Sequence, residues 1–272
     1  MIGAPMSSRL LELLAIMERL RGADGCPWDR AQTFASIASY TVEESYEVAD
    51  AIERGDMVHL KDELGDLLFQ VVFHAQIARE AGYFDFAGVA AAICDKLVRR
   101  HPHVFEDGPG PCEPGPVDSA AQSAIWEDIK ARERSPTASS ALGGVPTALP
   151  ALMRAFKLSK RAARVGFDFE HAAQSADKVA EELAEVRAAA AANGDAPASQ
   201  EIFEEIGDLL FAAANLARKL EVDAEAALRA ANSKFERRFQ CMERLAAERG
   251  ENFAALNLTA QEALWQAVKR AE

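Results

Sequence analysis

Cysteine is scarce in this chain, and the four present, Cys26, Cys94, Cys112 and Cys241, stand far apart with no C-x-x-C pair among them. That spacing offers neither a zinc site nor a disulfide framework, so a reducing, cytoplasmic setting is expected. Basic charge is also in deficit. The 30 Lys and Arg against 43 Asp and Glu leave a net charge of −13, which argues against nucleic-acid binding through a basic surface. An anionic substrate remains admissible, provided that metal and local cations receive it. Long apolar runs are missing too. Glu12 and Glu18 interrupt the stretch from Leu10 to Leu20, which reads as an amphipathic helix rather than a signal peptide. The longest uncharged segment, Ser135 to Met153, contains Pro136, Gly143, Gly144, Pro146 and Pro150, so it is a linker and no membrane association is expected. Strand-like alternation is scarce, whereas Leu10, Leu13, Leu14, Met17 and Leu20 keep helical spacing, as do Leu60, Leu64, Leu67, Leu68 and Val71. The expected fold is all-α.

What the chain does have is one acidic pattern written twice. Glu43, Glu44 and Glu47 with Glu63 and Asp66 are answered by Glu181, Glu182 and Glu185 with Glu205 and Asp208. The copies belong to a longer repeat. Lys61 to Phe69 answers Phe203 to Phe211, Lys96 to Arg100 answers Lys234 to Arg238, and Trp126 with Lys130 answers Trp265 with Lys269. Order is preserved and the offset barely drifts, so the chain is expected to hold two tandem helical bundles, residues 1–134 and 151–272, joined by a linker over 135–150. Further breaks are expected at Gly22 to Pro27, Asp107 to Asp118 and Asn193 to Pro197.

Helix geometry gives the acids a role. At about 100° per residue, Glu182 and Glu185 border an apolar stripe of Val179, Leu183 and Val186, and Glu205 and Asp208 border a stripe of Ile202, Ile206, Leu209 and Leu210. If the two helices pack as an antiparallel pair, the four carboxylates converge at the rim of a shared core, where like charges repel unless a divalent cation neutralises them. All-oxygen donors suit Mg2+, with Mn2+ as the substitute. A single Glu-rich helix is usually a solvated face, and the duplication argues against that reading. Lys178 stands one turn before Glu182, Lys234 and Arg238 share a face, and so do Trp265 and Lys269. Metal, fixed cations and an aromatic platform together describe a nucleotide polyphosphate site. Trp126 and Trp265 serve equally well as core anchors.

These motifs resemble the MazG family of nucleoside triphosphate pyrophosphohydrolases in its two-copy form, within the all-α NTP pyrophosphatases. The resemblance runs through Cys26-Pro27-Trp28-Asp29 with Gln32-Thr33, Glu43-Glu44-x-x-Glu47, Glu63-Leu64-Gly65-Asp66, Arg99 to Phe105, and the second-copy series from Lys178 to Lys269. It implies Mg2+-dependent hydrolysis of nucleoside triphosphates between the α and β phosphates, and a homodimer, since related families are dimeric. It also implies that Glu182, Glu185, Glu205 and Asp208 ligate the metal. Lys178, Glu181, Glu204, Asp208, Lys234, Arg238, Trp265 and Lys269 would contact the nucleotide, with Glu182, then Glu181, as the base. Glu44, Glu47, Glu63, Asp66, Lys96 and Arg100 are the first-copy counterparts. Tyr40 stands where the second copy has Lys178, and Asp62 where it has Glu204, so the second copy is expected to carry the main activity. The alternatives are an acidic interaction module with a structural metal and a narrower dUTPase-like or dCTPase-like enzyme.

Overall fold

The computed structural model describes residues 4–101, 104–105, 140–194 and 196–272. Trp126, Lys130 and the Asp107 to Asp118 break lie outside these residues. The chain divides into two compact units, Met1–Glu133 and Arg134–Glu272. Unit 1 contains α1 (Ala4–Arg21), α2 (Pro27–Ala31), α3 (Phe34–Arg54), α4 (Met57–Glu80) and α5 (Phe86–Arg100). Unit 2 contains α6 (Ala151–Arg164), α7 (Ala172–Asn193), α8 (Gln200–Lys219), α9 (Ala224–Glu248), a short 3-10 turn at Phe253–Ala255 and α10 (Leu258–Ala271). Among the described residues there is no strand, and no helix is long and apolar enough to cross a membrane.

Each unit is organised around one helical hairpin, α3–α4 or α7–α8. In unit 1 the connection is only Gly55 and Asp56. Gly55 adopts φ 67°, a left-handed conformation that a residue without Cβ enters freely. This lets the Asp56 N–H reach the Ala51 carbonyl at 3.1 Å while the Asp56 carboxylate caps α4 at the His59 N–H, 3.0 Å away. In unit 2 the connection runs through residues 194–199, and Ser199 caps α8 by accepting from the Ile202 N–H at 3.3 Å. That longer connection accounts for the change of register between the repeats, from 138 residues at Glu44 and Glu182 to 142 at Glu63 and Glu205.

The hairpins close along residues recurring every seven positions. Ile37, Glu44 and Ala51 line α3, and Ser175, Glu182 and Ala189 line α7. Across the first seam α4 presents Glu63, Gln70 and Ile77. A seven-residue recurrence keeps the same side of a helix against its partner. This corrects the stripes drawn from helical spacing. Glu182 is 5% exposed, whereas Leu183, Ile206 and Leu210 are 38, 43 and 52% exposed. Spacing selects the bulkiest apolar face, but close approach of two helices selects small side chains such as Ser175, Ala189 and Ala212, and the carboxylates fill the layer between them. The bulky stripe is left open in each unit, as Leu64 and Leu68 are in unit 1.

Packed cores lie elsewhere. In unit 1, Met17, Ile37, Val72, Phe73 and Ile77 form a buried cluster between α1, α3 and α4. Arg21 seals its edge. Its guanidinium lies 5.5 Å over the Phe73 ring and takes both carboxylate oxygens of Glu80, which holds Glu80 below its ordinary pKa. In unit 2, Met242, Ala246, Leu264 and Val268 pack α10 on α9.

Candidate active site

Glu182 on α7 faces Glu205 and Asp208 on α8, and carboxylate oxygens from all three lie within 4.8 Å of one another. Glu44 on α3 with Glu63 and Asp66 on α4 repeats the arrangement in unit 1. Each triplet is an all-oxygen set held by two facing helices, a donor set suited to a hard divalent cation. The protonation of the clusters points the same way. Glu185 is held above the ordinary carboxylate range, first by a hydrogen bond shared with Glu182, then by burial and by the charges of Glu182 and Glu205, with Lys178 opposing. Glu44 is raised by burial and then by Asp66, Glu47 and Glu63. Glu63 is raised by burial against the opposing influence of His59, with Glu47 adding to the rise. Carboxylates raised by one another's charge repel, and a divalent ion relieves that repulsion. Glu185 and Glu47 thus interact electrostatically with the triplets.

The cation supplied by the protein differs between the units. In unit 2, Lys178 Nζ lies 2.6 Å from Glu182 and 2.8 Å from Glu181, and these bonds, Glu181 first, raise its pKa above the ordinary lysine range. In unit 1 the matching position is Tyr40, whose ring meets Trp28 edge-on at 6.2 Å. There the partner comes from the other helix instead. His59 Nε2 lies 2.9 Å from Glu63 and carries a charge only when protonated. Sequence reasoning passed over His59, although its i, i+4 relation to Glu63 was a usable signal.

The remaining sequence-derived residues form a second group. Glu204 is exposed and accepts from Gln200 at 2.9 Å. Arg238 lies 5.6 Å over the Trp265 ring and donates through Nε to Glu272 at 2.9 Å, with Arg237 on the same carboxylate. Those arginines, Arg238 first, hold the Glu272 carboxyl down to about 2. Trp265 is half-buried, with Phe235 at 5.7 Å, and rests on the α9–α10 core. Lys234 and Lys269 are exposed, as is Lys96 on α5, while Arg100 is partly buried. No hydrogen bond, ion pair or ring contact among the described residues joins Lys234, Arg238, Trp265 or Lys269 to the carboxylates of α7 and α8. The acids with Lys178 stand on α7 and α8, and the arginine with tryptophan on α9 and α10.

Comparison with known proteins extends the geometry. Residues 32–105 match the family described as MazG nucleotide pyrophosphohydrolase domain, and residues 149–235 match the family described as phosphoribosyl-ATP pyrophosphohydrolase. A nucleoside triphosphate pyrophosphohydrolase of Escherichia coli strain K12 is 53% identical over 96% of this chain and 97% of its own. The nucleoside triphosphate pyrophosphohydrolase/pyrophosphatase MazG of Thermotoga maritima is 43% identical over 95% of this chain and 94% of its own.

Proposed function

The chain belongs to the MazG family and is a nucleoside triphosphate pyrophosphohydrolase, and from that premise we propose that unit 2 cleaves nucleoside triphosphates between the α and β phosphates with Mg2+. The observation carrying the proposal is the Glu182, Glu205 and Asp208 triplet, with oxygens within 4.8 Å of one another and Lys178 beside them. Together with Glu185 these residues would hold the ion, which when bound would neutralise phosphate charge and activate water. Mn2+ is the expected substitute, since it shares the preference for oxygen donors.

The protein's own residues account for the rest. Water adds to the α phosphorus, the bond to the bridging oxygen breaks, and the products are a nucleoside monophosphate and pyrophosphate. Glu182 takes the proton of that water. Its burial, at 5% exposed, excludes bulk water from that proton. Glu181, exposed and bonded to Lys178, steers the ammonium toward a phosphate oxygen. Glu182→Gln against Glu181→Gln separates the two roles, and a larger loss from Glu181→Gln would reverse them. Glu204, Lys234, Arg238, Trp265 and Lys269 are proposed to contact the nucleotide.

A homodimer is proposed as the working assembly. The open faces bearing Leu183, Ile206 and Leu210 support a two-fold partner that covers them. Light scattering tests it, and a fully active monomer at micromolar concentration would sink it. The activity itself is tested by a panel of triphosphates with separate detection of pyrophosphate and orthophosphate. Pyrophosphate release that requires Mg2+ or Mn2+ is expected. Orthophosphate as the first product, or turnover indifferent to chelator, would overturn the cleavage site or the metal.

A further inference from the structure

Unit 2 contains a cavity of about 530 Å³ between α6, the turn after it and α8, lined by Ser159, Phe167, Phe169, Phe211, Asn215 and Arg218 among others. Its position follows from the register of α8. Phe211 and Asn215 stand one and two turns beyond Asp208, so Asn215 returns to nearly the same face of the helix at roughly 10 Å along its axis. That is about the reach from triphosphate to base in an extended nucleotide.

The walls carry unmet hydrogen-bonding capacity. Ser159 is 7% exposed and its hydroxyl has no partner, which is an unfavourable state for a buried polar group. Asn215 Oδ1 accepts from Arg218 Nε at 2.9 Å, and Arg218 is itself fixed on Asp168. Burial pushes Asp168 up, but Arg218 and Lys219 together hold it below its ordinary range, so the anchor is charged. A guanidinium only donates, which fixes the amide oxygen toward Arg218 and turns the Asn215 NH2 away from it as a free pair of donors.

The repeat shows that Asn215 is not required by the fold. At the register that relates Glu63 to Glu205 and Asp66 to Asp208, Phe69 matches Phe211 and Phe73 matches Asn215. Phe73 is 1% exposed and belongs to a packed cluster. Unit 2 has a polar side chain at that position, and it borders a cavity.

We propose that this cavity is the nucleobase subsite of unit 2, where phenylalanine rings flank the base and the Asn215 NH2 and Ser159 hydroxyl donate to a ring carbonyl oxygen. The assignment rests on the triphosphate reading of the carboxylate site. It selects bases with an exocyclic oxygen, such as guanine and uracil, over adenine, whose exocyclic amine would meet a donor with a donor.

The test is kinetic, on the full chain with Mg2+. GTP and UTP are compared with ATP, with inorganic tripolyphosphate as a competitor that has no base. The unaltered protein should favour GTP and UTP over ATP by about tenfold or more in kcat/KM. Asn215→Leu and Ser159→Ala should bring that ratio toward one, mainly through KM, while tripolyphosphate inhibits as before. An unchanged ratio in both variants overturns the proposal, and so does an equal loss of tripolyphosphate and nucleotide binding. If no triphosphate yields pyrophosphate, the function proposed above fails on its own account. Calorimetry with GMP and UMP against ribose 5-phosphate then decides the subsite. Base-dependent affinity that Asn215→Leu removes supports it, and its absence overturns it.

Discussion

The two units share a carboxylate layer and differ in almost everything that surrounds it. In both, a glutamate on the first hairpin helix meets a glutamate and an aspartate on the second, at the same place in a seven-residue recurrence. In unit 1 the acids have a histidine partner, the hairpin turns in two residues, and Met17 and Phe73 pack the base of the hairpin solid. In unit 2 they have a lysine, the turn is longer, and Ser159 and Asn215 border an open space. The contrast teaches that the carboxylate layer alone does not mark a working site. A permanent cation beside the acids and a larger cavity, about 530 against 300 Å³, distinguish unit 2, and on these differences it is proposed as the catalytic copy.

The largest effect should come from removing one acid from each layer. Glu182→Ala is expected to lower pyrophosphate release on the order of 100-fold or more. Glu44→Ala should lower it far less, and comparable losses would show that both layers work or are coupled. Circular dichroism should remain helical in both, because removing a carboxylate relieves mutual repulsion in its layer.

Packing should show the opposite asymmetry. Phe73→Ala opens the unit 1 core and is expected to destabilise it by about 3–5 kcal/mol. Asn215→Ala removes no comparable packing and should lower stability by less than about 1 kcal/mol in chemical denaturation. Similar values would mean that Asn215 is structural.

Metal and pH sharpen the comparison further. Glu44, Glu63 and Glu185 have raised folded pKa values, so the folded state binds more protons than the unfolded one above the ordinary carboxylate value. Their contribution to stability is therefore fully present below that value and is lost as pH rises through the folded pKa values. Mg2+ should reverse the loss, by about 2.7 kcal/mol at a hundredfold excess over Kd. Thermal unfolding with Mg2+ against chelator should show a larger rise at pH 8 than at pH 5. In Asp208→Ala the residual rise reports unit 1 alone, and no residual rise would mean that its acids bind no metal.

The smallest effect concerns the start of α8. Ser199→Ala should cost about 1 kcal/mol by removing the cap that fixes the helix bearing Glu205 and Asp208. Its counterpart Asp56→Ala should cost a similar amount, since each cap satisfies helix-end N–H groups. A much larger loss from Asp56→Ala would show that the two-residue turn depends on its cap more than the longer one does.

The sequence by itself determined the helical class, the duplication and the acids that share a layer, because helical spacing and repetition are written in residue order. It also recorded the Lys178 and Tyr40 difference, since aligned positions can be read side by side. Which helix face is buried was not legible. Leu183, Ile206 and Leu210 are the obvious core by hydropathy, yet the seam runs through Ser175, Glu182 and Ala189, because the distance between two helices is set by the smallest side chains along their contact. Nor was the cavity legible. Ser159 and Asn215 lie on different helices far apart in the chain, and only the packing of α6 on α8 turns two unremarkable polar residues into one unfilled space. The seat of Trp265 was likewise decided in three dimensions, where α10 packs on α9 and sets the ring under Arg238.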